Sequence, residues 1–121
     1  MDYSQLSDFE INKRVAICCG FAPEDCEIAK LGTSIVGVEW DDETGYAIKT
    51  VDYCKSPSDA YPIITENKIS TMWMTAEKEW CAWSGGDLEE GCWVPDYCFC
   101  GESPLRAAMI VFLMIQDANN A

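Results

Sequence analysis

The sequence predicts an α+β fold: helices packed on an antiparallel sheet of about four strands, in the order α-β-β-α-β-β-α, an α-β-α sandwich. Three observations predict it. Apolar residues recur at helical spacing near both ends of the chain. Two pairs of β-rich runs are each separated by a short turn-forming stretch. No linker or internal repeat divides the 121 residues. Hairpin connections make neighbouring strands antiparallel, and an apolar sheet face needs helices to cover it. A chain of this length makes one domain, 1–121. It buries roughly two-thirds of its unfolded surface, enough for a core without metal or disulfide support.

Each element has a local cause. Ser7-Asp8-Phe9-Glu10 is a capping box, and Ile11, Val15, Cys18 and Cys19 then fall on one helical stripe until Gly20 stops it. The first helix is therefore expected from about Asp8 to Cys19. Phe21 to Gly32, with Pro23 and several acids, reads as irregular. Ser34 to Trp40 and Tyr46 to Val51 read as a hairpin around the turn residues 41–45. Ser56-Pro57-Ser58-Asp59 supplies an N-cap, a proline at the first helical position and a box acid, starting a helix that runs to about Asn67. Pro62 lies inside it, where a kink or late start is expected. Ile69 to Met74 and Lys78 to Trp83 form a second hairpin around Thr75-Ala76-Glu77. Ser84 to Glu102, rich in Gly, acid and Cys, reads as irregular. Ser103-Pro104 opens an apolar helix ending near Asp117, followed by a frayed tail, Asn119 to Ala121.

Composition narrows function. Eight Lys and Arg stand against 21 Asp and Glu, a net charge of −13. Direct nucleic-acid or anionic-membrane binding needs clustered cations and is not expected. An acidic surface keeps a small protein soluble, or it presents carboxylates to a basic partner, with mimicry of DNA as one form of that. No apolar run approaches the length of a membrane span, and Met1-Asp2-Tyr3-Ser4 has no signal-peptide character, so a cytosolic protein is expected. For such a compartment the eight cysteines are expected as free thiols. Histidine is absent, which removes the usual partner of a Ser or Cys nucleophile. No catalytic residue can be named, and no enzyme activity or cofactor is expected.

Four stretches carry a resemblance: residues 6–13 (LSDFEINK); residues 57–64 (PSDAYPII) with 66–70 (ENKIS); residues 80–83 (WCAW); and residues 104–113 (PLRAAMIVFL). In these the chain resembles the NinX-like family of phage proteins, small products of the nin region of lambdoid phages. The resemblance implies a phage α-β-α sandwich domain, made during infection in the cytoplasm of a bacterial host. It implies no activity and no site residues. Cys92 to Cys100 reads as an addition to the family pattern.

Two site readings remain. Cys81, Cys92, Cys98 and Cys100 offer four thiolates for zinc, but C-x₅-C-x-C lacks the paired C-x₂₋₄-C spacing of structural sites. An anion or nucleotide pocket is the other. Arg106 sits in the first turn of the last helix, where free amides attract phosphate. Trp80 and Trp83 are read as sharing a strand face on which a base would stack, and Asn12 and Asn67 offer hydrogen bonds. The plainer alternative packs both tryptophans in the core and pairs Arg106 with a carboxylate. The expected function is that of a phage accessory protein binding a host protein through its acidic surface, with counter-defence as one such role. A small nucleotide ligand or a DNA-mimic role is the alternative, and the aromatic content permits a monomer or a homodimer.

Overall fold

A computed structural model of the chain describes residues 1–120. After a 3-10 turn at Tyr3–Gln5, helix α1 spans Asp8–Cys18. The expected capping box closes: the Ser7 hydroxyl accepts from the Glu10 amide at 3.1 Å, and the Glu10 carboxylate accepts from the Ser7 amide at 3.2 Å. Gly20, at φ +105°, ends the helix. The Phe21 amide then reaches the Ala16 carbonyl and the Gly20 amide the Ile17 carbonyl, both at 3.1 Å, which satisfies the last turn.

Strands β1 (Glu27–Ile28), β2 (Val36–Trp40) and β3 (Ala47–Val51) form an antiparallel sheet in that order. The β2–β3 hairpin is the one the alternation predicts. β1 arises inside the stretch expected to be irregular; it is two residues long and pairs Glu27 with Gly37 and Ile28 with Val36. Gly37 is required by close approach. A Cβ there would overlap the ring of Trp40, whose indole N–H donates to the Asp25 carbonyl at 2.7 Å.

Helix α2 spans Pro57–Glu66 and continues through Pro62. Its N-cap is Ser56, as expected, but the hydroxyl meets that of Ser58 and caps no amide. The Asp59 carboxylate accepts instead from the Asp52 amide at 2.9 Å. Strands β4 (Ser70–Met74) and β5 (Glu79–Ser84) then form the second expected hairpin. The stretch 84–102 is not irregular. It makes a small ribbon, β6 (Asp87–Glu89) and β7 (Cys92–Val94), and then β8 (Tyr97–Gly101), which pairs with β5 along its full length. Its Gly, Asp and Cys content masks a strand signal that long-range pairing supplies.

Helix α3 spans Pro104–Asn119. Asn119 and Asn120 thus end and cap the helix, while Ala121 lies outside the described residues. Residues Ala107 to Leu113 are all buried, which marks a helix enclosed on all sides. It packs on β5 and β8 on one side and on α1 and α2 on the other, and α1 packs on β2. The α+β class, the three helices and the antiparallel pairing are as expected. The strands, however, are divided between two three-stranded sheets with the helices among them, because β1 and β8 each extend one of the predicted hairpins.

Candidate functional site

The five residues proposed for an anion pocket are placed apart, each with a local role. Asn12 is fully buried on α1. Its amide nitrogen donates to the Ser34 carbonyl at 2.8 Å and to the Asp52 carboxylate at 2.9 Å, and its oxygen accepts from the Cys54 amide at 3.0 Å. Every hydrogen-bonding direction serves the fold. Asn67 caps α2, donating to the Ile63 carbonyl at 2.8 Å, while its own carbonyl accepts from the Ser84 hydroxyl at 3.2 Å.

Arg106 follows the plainer alternative. Its Nε donates to Asp8 at 3.0 Å and its terminal nitrogen to the Leu6 carbonyl at 2.7 Å. The fork therefore joins the start of α3 to the segment entering α1. A depression of about 520 Å³ opens beside it, but Asp8 and Glu102 share the lining, and two carboxylates oppose an anion. The guanidinium is already spent on a carboxylate and a carbonyl.

Trp80 and Trp83 do not share a face. Three residues separate them, and an odd separation puts side chains on opposite sides of a strand. Trp80 lies opposite Trp73 on β4, ring centroids 5.6 Å apart and edge to face. It alternates with the buried Ala82 and Ser84, so its face looks toward α3. Trp83 lies on the other face with Glu79 and Cys81.

The four-thiolate zinc set is not assembled. Cys81 and Cys100 face each other across β5 and β8, Cα atoms 4.1 Å apart, and their sulfurs are joined in a disulfide. The expectation that all eight cysteines are free is corrected for this pair: direct cross-strand register places the two sulfurs within bonding distance. Cys98 is a free thiol two residues before Cys100 on the same face, and Cys92 is free on the exposed ribbon. The remaining thiols are poor nucleophiles. Burial pushes the Cys54 thiol up to about 12, and burial also raises Cys18, Cys19 and Cys26. Cys18 and Cys19 border a depression of about 340 Å³ with Asn67 and Phe112.

The surface that the sequence reading missed is the outer face of the second sheet. Met72, Met74, Cys81, Trp83 and Cys98 line it, and Trp93 and Pro95 fold over from the ribbon to enclose a depression of about 240 Å³ with an entirely apolar wall. Met72 keeps 48% of its surface exposed, Trp93 55% and Leu88 on the ribbon 67%. The segment 70–102 that forms this face carries seven carboxylates and one lysine. The signal was present in Ser70-Thr71-Met72-Trp73-Met74, where residues of both parities are apolar, as in a strand covered on both faces. Asp96 holds the ribbon in place by accepting from the Gly86 amide at 3.1 Å.

Comparison with known proteins agrees with the resemblance read in the sequence. No curated protein and no solved structure matches the chain. The family model described as "Bacteriophage P22, NinX" matches residues 2–116, a span that takes in both sheets, all but the end of α3, and the Cys92 to Cys100 segment. The chain therefore belongs to the NinX family of bacteriophage proteins.

Proposed function

We propose that this phage protein is a non-catalytic accessory factor that binds a basic protein of the bacterial host, in the host cytoplasm, through the outer face of its second sheet and the carboxylates around it. The observation that carries this reading is the open apolar face of β4, β5 and β8. Met72 and Trp93 are half exposed there, beside a depression with an apolar wall. Methionine and tryptophan adapt well to a protein surface, and tryptophan is a common anchor at interfaces. The rim decides the partner's charge. Glu77, Asp87, Glu89, Glu90 and Asp96 are exposed around the face, so a cationic surface is drawn to it and an acidic one repelled. A nucleotide ligand is disfavoured, because the arginine that would hold its phosphate is engaged by Asp8. No helix among the described residues is long and apolar enough to cross a membrane.

The test is affinity capture from host extract by the tagged protein, followed by reconstitution with the purified partner. Capture is expected to weaken as salt rises. Trp93→Ser with Met72→Ser is expected to abolish capture without changing the melting temperature. Capture that survives this double substitution would refute the assignment of the face.

A further inference from the structure

The disulfide face contains more donors than a simple cross-link needs. Glu79 precedes Cys81 by two residues on β5, so both side chains leave the same side of the strand. Cys100 lies directly opposite Cys81 on β8. One carboxylate oxygen of Glu79 and the sulfurs of Cys81 and Cys100 all lie within 4.8 Å of one another. We propose that opening the Cys81–Cys100 disulfide converts this cluster into a zinc site, with Cys81, Cys100 and Glu79 as its three protein ligands.

The geometry suits the ion. Two thiolates on a tetrahedral zinc are about 3.8 Å apart, given bonds of ~2.3 Å. Cross-strand neighbours 4.1 Å apart at Cα, with parallel side chains, reach that separation without backbone movement. Glu79 adds an oxygen donor that lies within 4.8 Å of both sulfurs, and water completes the four positions of a tetrahedral ion. The ion's charge is offset by three anionic ligands. Opening the disulfide leaves the β5–β8 backbone ladder in place, so the ligands stay on a rigid frame.

The chemistry balances. A small dithiol attacks one sulfur of the disulfide, passes two electrons and two protons to the pair, and leaves as its own cyclic disulfide. Two thiols result. Zinc then displaces both thiol protons to solvent and binds the thiolates. The cyclic disulfide, acting as the two-electron oxidant, reverses the exchange: it is reduced to the dithiol, the Cys81 and Cys100 thiolates re-form their disulfide, and the ion is released. Access is available because Cys81 lines the open depression beneath Trp93. The site is thus selected by redox state: the oxidised chain offers one carboxylate and no thiolate, too little to retain zinc.

The experiment uses the whole chain, reduced with a dithiol, desalted without oxygen, and titrated with cobalt as a spectroscopic stand-in for zinc. The expected result is one equivalent of cobalt per chain with intense sulfur-to-metal absorption, bleached by added zinc, and no such absorption in the oxidised chain. Cys81→Ser with Cys100→Ser should abolish it, Glu79→Gln should weaken binding about ten-fold, and Cys18→Ser with Cys19→Ser should leave it intact. Peptide mapping of the wild type after alkylation provides a readout that needs no variant: zinc should protect Cys81 and Cys100 in the reduced chain and leave the exposed Cys92 reactive. Absence of the absorption from the reduced, folded chain, its persistence in the Cys81/Cys100 variant, or alkylation of both cysteines at saturating zinc would each overturn the proposal.

Discussion

Single residues hold the ends of this fold to its middle. Asn12 does so with three hydrogen bonds inside a fully buried site. Asn12→Ala leaves the Cys54 amide and the Ser34 carbonyl without partners. Urea unfolding should show a loss of about 3 kcal/mol, the sum expected for orphaned buried groups and a small void. Cys54 provides a pH test. In the unfolded chain its thiol ionises near 9.0, while burial moves it to about 12 in the fold. Tyr3, buried in part and donating to Asp117, moves from 10.0 to about 12 in the same direction. Between these limits the unfolded chain releases protons that the native chain keeps, so stability is full below pH 9 and declines as pH rises toward 12. Urea midpoints at pH 7, 9 and 10.5 should fall in that order, and Cys54→Ala should flatten the trend.

At the scale of elements, the start of α3 is tied to the entry of α1 by Arg106. Arg106→Ala should cost about 2 kcal/mol, because the Asp8 and Leu6 acceptors both lose a charged donor in a partly shielded place. A double-mutant cycle with Asp8→Asn separates the ion pair from the carbonyl bond. The β6–β7 turn is strained at one point. Glu90 and Gly91 both have positive φ, a pair of values that favours Asn-Gly. Glu90→Asn should raise stability by about 1 kcal/mol, read as a higher melting temperature. Elements with local signals were legible in advance: the Ser7 box, the Ser103-Pro104 start, and both hairpins. β1 and β8 were not, since a two-residue strand and a Gly- and Cys-rich strand exist only because a partner distant in sequence pairs with them. The four-thiolate set and the anion pocket failed for related reasons. Spacing gave no warning that Cys81 faces Cys100, and Asp8, 98 residues from Arg106, was invisible as its partner.

For the whole molecule, charge is largely left unpaired. Among the described residues there are only two ion pairs, Lys13 with Glu27 and Arg106 with Asp8, so most of the 21 carboxylates face solvent unpaired. The −13 charge was readable from composition, but the side chains that form the outer sheet face were not, because they depend on which parity of β4 and β5 points outward. Alternation alone left that choice open: Trp73 and Trp80 compete with Met72 and Trp83 for the inward side, and α3 decides it. The enclosed position of α3 also fixes the order of events during synthesis. The ribosome makes α1 and the second sheet first, yet both dock on a segment that has still to be translated. Nascent chains stalled before Pro104 should therefore remain open to protease and to chaperones, and should close only once α3 has left the exit tunnel.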